Sequence, residues 1–229
     1  MKRVIILVVI AVLNIAAFAQ GQGGIDFSKA FIAGKERRAD IFTIMATKTG
    51  CIEFVGGSIM EDCEWKELFD NPNIINRGID GNTTDEVLGR TAELTRHKPT
   101  KVFLEIGTQD LNGGVGIDTV VNNISKIAKA FLAEKTDTRI YIFSVLPAAK
   151  ADPNAPFRMP AASNDNVVAM NTKLKTLCEK SNLIYLDLYT KFLNKDKTAL
   201  DAKLGTSNSK LSVAGYGLLG DLIYEYVNN

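Results

Sequence analysis

CIEFVGGSIMED, residues 51–62, runs from an apolar stretch at Cys51 to Val55 into paired glycines, Gly56 and Gly57, and then delivers Ser58 ahead of Ile59 and Met60. A short apolar run that ends on glycines reads as a buried strand turning sharply into the next element. Downstream, runs of the same kind alternate with longer amphipathic segments. The strand candidates are Cys51–Gly56, Asn73–Asn76, Lys101–Ile106, Arg139–Val145 and Asn182–Leu186. Strands separated by helix-length segments predict a parallel sheet joined by helical crossovers. Val120, Ile124, Ile127, Ala128 and Phe131 recur at helical spacing, as do Val168, Leu174, Leu177 and Cys178; both series read as core faces. A last helix is predicted from Ser212, as N-cap, to Val227, with Leu218, Leu219, Leu222, Ile223 and Tyr226 facing inward. Pro147–Ser163, with Pro153, Pro156 and Pro160, reads as a long surface loop.

The first residues carry Lys2 and Arg3, an apolar stretch from Val4 to Phe18 broken by Asn14, and Ala17 and Ala19 before Gln20. That pattern predicts a secretory signal peptide over residues 1–19, cleaved after Ala19, because the stretch is short for a roughly 20-residue bilayer span. Export to the periplasm or the medium follows as an expectation, with no stable membrane anchor after cleavage. Residues 20–50 read as a less regular lead-in and residues 51–229 as one domain. With the leader gone, the formal charge moves from +1 to −1, and no basic block is left to track a phosphate backbone. The 46% hydrophobic content is enough for one substantial core. The three cysteines, Cys51, Cys63 and Cys178, form no C-x-x-C or Cys/His cluster, so no metal or other cofactor is expected. Buried packing is their expected role, and a disulfide between two of them stays open.

In an open parallel sheet, chemistry gathers where loops leave the carboxyl ends of the strands. Those loops are Gly56–Met60, Arg77–Thr84, Gly107–Leu111 and Thr206–Gly215. FVGGSIMED, NRGIDGNTT, EIGTQD and KLSVAGY resemble, in order, the conserved blocks of the SGNH or GDSL hydrolases, especially the group similar to platelet-activating-factor acetylhydrolases. The resemblance implies an α/β fold, a three-layer α/β/α sandwich around a five-stranded parallel sheet of flavodoxin-like type. It also implies roles. Ser58 falls on the nucleophile, whose N–H serves the oxyanion hole with the N–H of Gly78. Gln109 falls on the family's asparagine donor, one methylene longer. A donor must lie roughly 2.7–3.1 Å from the developing oxyanion, so that extra length matters. Asp110 falls on an acid that is chiefly a structural partner.

The family's catalytic aspartate and histidine fall on Ser207 and Lys210, and Gly57 stands where the nucleophile block has an aspartate. A serine hydroxyl normally needs an imidazole to take its proton. The single histidine, His97, lies in RHKPTKVF before the third strand, at the opposite edge of the sheet, and reads as a solvated helix C-cap. Lys210 has uncharged chain neighbours, Ser207, Asn208, Ser209 and Ser212; a desolvated lysine could serve as base, and an ordinary loop lysine is the plainer reading. Glu61, Asp62 and Asp80 are further polar groups near the cleft. Glu53 and Glu105 interrupt apolar runs; an ion pair at the strand entry is one reading and a carboxylate dyad another. Trp65 and Tyr216 could stack on a sugar ring or pack in the core. Three functions follow as expectations: an exported, hydrolytically decayed protein that binds a carbohydrate or acylated small molecule, an acylesterase working through Ser58 and Lys210, and an envelope scaffold.

Overall fold

A computed structural model describes residues 27–150, 162–207 and 210–229. The expected leader and Pro153, Pro156 and Pro160 lie outside the described residues. In order, the elements are α1 (Phe27–Ile44), β1 (Ile52–Gly56), α2 (Ser58–Glu61), α3 (Trp65–Leu68), β2 (Ile74–Gly78), α4 (Thr84–Gly89), α5 (Thr91–Thr95), β3 (Lys101–Glu105), α6 (Thr108–Asn112), α7 (Ile117–Glu134), β4 (Arg139–Phe143), α8 (Asn164–Ser181), β5 (Ile184–Leu186), α9 (Tyr189–Phe192), β6 (Gly205–Ser207), β7 (Lys210–Leu211) and α10 (Val213–Asn228).

The chain divides into two units, Met1–Arg37 and Arg38–Asn229. The described part of the first is helical, with the Lys35 ammonium 5.9 Å from the Phe31 ring centre. The lead-in is therefore more regular than its sequence suggests. The helix escapes notice because Phe31, Ile32, Ile41 and Ile44 are exposed and no continuous apolar stripe marks it. In the second unit Phe42 is buried, and the guanidinium groups of Arg77 and Arg38 lie 4.7 and 5.1 Å from its ring centre.

Five parallel strands form one sheet in the order β2-β1-β3-β4-β5. The predicted strands are present with ends moved by no more than two residues. Register divides the core. Phe54 pairs with Phe103, and Phe103 with Tyr141, so all three share one face; Val55 pairs with Leu104 on the other. On the aromatic face Phe54 stacks on Trp65 at 4.5 Å and on Phe103 at 4.8 Å, under α2, α3 and α10. The aliphatic face packs against α4, α5, α7 and α8. The five α7 positions named from spacing are all buried. In α8 the inward residue is Val167, and Val168 is exposed; in α10 Val227 is buried and Tyr226 exposed. Each correction is a one-residue rotation of the apolar stripe.

The same register separates the two unusual glutamates. Glu53 pairs with Val102 and so lies on the aliphatic side, whereas Glu105 pairs with Gly56 and lies on the side of Phe103. They form no carboxylate dyad. Glu53 is fully buried near Arg77, Arg90 and Arg96, but neither of its oxygens has a hydrogen-bond partner among the described residues, so the expected ion pair at the strand entry is not closed by contact. Burial raises its carboxyl well above the usual range, against the opposing pull of Arg77. The three cysteines are buried, unpaired thiols, each pushed up to about 12 chiefly by burial.

Helix starts follow side-chain caps. Thr83 and Glu86 form a capping box at α4, Ser163 caps α8, and Ser212 caps α10 by accepting from the N–H of Gly215 at 3.1 Å. Trp65 is the largest side chain fully removed from solvent, and its indole N–H donates to the Met60 carbonyl at 2.8 Å. Trp65→Ala is expected to destabilise the protein by about 3–5 kcal/mol, measured by urea unfolding at neutral pH.

Candidate active site

The site is set by how β1 ends. Gly56 has φ +151, and a Cβ there would lie 1.9 Å from the Glu105 carbonyl oxygen, so only glycine fits. The same carbonyl accepts from the Gly57 N–H at 3.2 Å, which joins the ends of β1 and β3. The chain then turns into α2 at Ser58, where the Met60 and Glu61 N–H groups donate to the Gly57 carbonyl at 3.1 and 3.0 Å.

Asn76 of β2 braces this turn from the side. Its amide donates to the carbonyls of Met60 at 2.7 Å, Cys63 at 3.0 Å and Glu61 at 3.3 Å, taking up carbonyls that the short α2 helix leaves open. Its Oδ1 accepts from the Gly78 N–H at 2.8 Å. That bond corrects the oxyanion role expected of Gly78. Its N–H is committed to Asn76, and a Cβ on Gly78 would sit 2.3 Å from the Glu61 nitrogen, so the residue packs beneath α2.

Ser58, 4% exposed, borders a small, shallow cleft together with Asn82, Glu105, Thr108 and Gln109. Gln109 thus lies where its sequence position suggests. Asp110 supports the wall. It accepts from the Thr84 N–H at 2.9 Å and the Thr84 hydroxyl at 2.6 Å, tying the loop after β2 to α6. Asn82 is a cleft residue that sequence reasoning passed over. It is buried, and its Oδ1 has no partner among the described residues. Its position just after Gly81, at φ +73, is the local signal that a turn aims it.

Lys210 departs most from expectation. Its neighbours along the chain are uncharged, but its ammonium donates to Asp62 at 2.7 Å and to Asp80 at 2.9 Å. Burial pulls its pKa down, yet the hydrogen bonds and charges of the two aspartates outweigh this and hold it above the ordinary lysine value. A lysine held this way keeps its proton near neutral pH. Ser207 pairs with Lys210 across the β6–β7 ribbon.

His97 is not solvated. Its ring is fully buried, with Nδ1 accepting from the Lys48 N–H at 3.0 Å, which leaves the ring proton on Nε2, 3.4 Å from Glu93. Arg77 lies 3.2 Å from the same nitrogen. The expected location is right, since His97 precedes β3 while Ser58 follows β1, but the histidine is part of a buried polar cluster. Trp65 and Tyr216 are turned to the core. The Tyr216 hydroxyl donates to the Ile59 carbonyl at 3.1 Å, and the ring meets Trp65 edge-on at 6.1 Å.

An open parallel sheet thus places a serine at the start of the helix that follows β1, beside the loops after β2 and β3. The chain belongs to the GDSL-like lipase/acylhydrolase family, whose pattern matches residues 55–218. Over 102 residues, 42% of this chain, it is 31% identical to the platelet-activating factor acetylhydrolase IB subunit alpha1 of Bos taurus, and the matched stretch spans 43% of that relative. Two solved structures share the fold. A GDSL-like lipase from Bacteroides thetaiotaomicron superposes with TM-score 0.70 at 22% identity, over 85% of this chain and 97% of that one. A catalytic mutant of an acetylxylan esterase from Geobacillus stearothermophilus superposes with TM-score 0.62 at 18% identity, over 80% and 96%.

Glu105 carries the electrostatic signature of the cleft. It is 3% exposed, its Oε1 has no partner among the described residues, and burial pushes its carboxyl from 4.5 up to about 7. Between those values the folded protein keeps a proton that the unfolded chain has released, so stability falls as pH rises through that window. Glu53 acts in the same direction. Glu105→Gln is expected to remove up to ~3 kcal/mol of this loss between pH about 4.5 and about 7, which denaturant melts across that range would show as a flatter profile.

Proposed function

We propose that this chain is an exported, very weak acylesterase whose cleft binds a small acylated ligand, an acetylated sugar in particular. The observation that carries this reading is Lys210. At the position where the resemblance calls for the catalytic histidine, a lysine lies clamped between Asp62 and Asp80 and keeps its proton. Ser58 takes the nucleophile position, and its own N–H and Gln109 are the oxyanion donors of the reading. A serine hydroxyl with no strong base is a poor nucleophile. Loss of a triad member in serine proteases still leaves roughly 10³–10⁴-fold catalysis over water, and turnover of that order is what this cleft supports.

A carbohydrate ester is favoured by the polar lining of Asn82, Thr108 and Gln109 and by the likeness in fold to an acetylxylan esterase. Export is supported by the basic start, the apolar stretch Val4–Phe18 and the Ala17/Ala19 pair. Neither a nucleic acid nor a cofactor enters the reading.

The test compares the mature protein with Ser58→Ala and Lys210→Ala on p-nitrophenyl acetate and acetylated xylooligosaccharides. Slow turnover that requires Ser58 and is unchanged in Lys210→Ala is expected, with acetylated sugar binding detected by calorimetry. Fast turnover abolished by Lys210→Ala would overturn it.

A further inference from the structure

We propose that Glu105 accepts the Ser58 proton in the slow ester hydrolysis of this cleft. The inference rests on the reading of Ser58 as an ester-binding nucleophile and adds the group that activates it. Three observations support it. First, the close approach of Gly56 to the Glu105 carbonyl brings the ends of β1 and β3 together, so that Ser58 and Glu105 border one cleft. Second, the other carboxyls nearby are engaged. Glu61 accepts from the Asp80 N–H and faces Arg38, Asp62 and Asp80 hold Lys210, and Asp110 holds Thr84. Among these described carboxyls Glu105 alone keeps a buried oxygen without a partner. Third, burial places its titration near 7, where a carboxylate is basic enough to accept a proton and still ionised in neutral solution.

The titratable groups around it do not disturb this assignment. Tyr216 of α10 is raised by burial first and then by Asp62, Cys63, Glu105 and Asp80, so its hydroxyl stays neutral. Cys63 is likewise a neutral thiol. Lys210 of β7 is satisfied by Asp62 and Asp80, and Glu53 lies across the sheet.

In the step itself, the Glu105 carboxylate takes the proton from Ser58 Oγ, directly or through one water, as Oγ bonds to the acyl carbon and the carbonyl pair moves onto oxygen. The tetrahedral adduct collapses, and the departing alkoxide takes the proton from the Glu105 carboxyl. Water then repeats the sequence. It gives a proton to Glu105, its oxygen bonds to the acyl carbon, and Ser58 Oγ leaves and recovers that proton. The sum is ester plus water giving acid plus alcohol.

The experiment measures kcat/KM of the mature protein, Ser58→Ala, Glu105→Gln and Glu105→Asp on p-nitrophenyl acetate from pH 5 to 9, with circular dichroism of each. The Ser58-dependent rate of the wild type is expected to rise through about pH 7, and Glu105→Gln to lower it at least ~100-fold and erase the rise. If Glu105→Gln does not fold, Glu105→Asp decides: it keeps the rise with a lower rate. Ser58-dependent turnover that survives in Glu105→Gln with its pH profile intact, or an unchanged rate in Glu105→Asp, overturns the role of Glu105 and leaves the reading of the cleft standing. Turnover and acetylated sugar binding that are indifferent to Ser58→Ala overturn both.

Discussion

The cleft exists because a glycine lies against a carbonyl. At Gly56 the chain leaves β1 with φ +151 and comes so near the Glu105 carbonyl that no side chain fits between. This approach ends the strand, lets Gly57 donate across to β3, and starts α2 at Ser58. It also fixes which strand carboxyl borders the serine's cleft, since pairing Gly56 with Glu105 puts that side chain on the aromatic face.

The order of the strands was legible because a parallel sheet buries each strand on both faces and leaves continuous apolar runs between amphipathic helices. The loops that build the cleft were legible for the same reason. What the sequence hid is what depends on how side chains are placed once the chain has folded. Asp62 and Asp80 lie 148 and 130 positions from Lys210, so the uncharged residues beside that lysine gave no hint of its clamp. His97 looked like a surface cap because Arg77 and Glu93 meet it only after folding. The N–H of Gly78 points where the Asn76 side chain draws it, a direction that no residue type encodes. Glu105 lies between these cases. A charged residue in an apolar run was visible, but the face it takes is a matter of register.

The clamp on Lys210 has a structural role of its own. A neutral side chain at this position would leave Asp62 and Asp80 without the cation between them. The ammonium joins the end of α2 to the loop after β2 and ties both to the β6–β7 ribbon.

The brace provided by Asn76 has a mechanical consequence. β2 is an edge strand, hydrogen-bonded to the sheet only through β1, yet its asparagine holds the carbonyl end of the serine helix. The placement of Ser58 is therefore anchored to the strand with the least lateral support in the sheet. A force or a partner that peeled this margin outward would loosen the serine well before the central strands gave way.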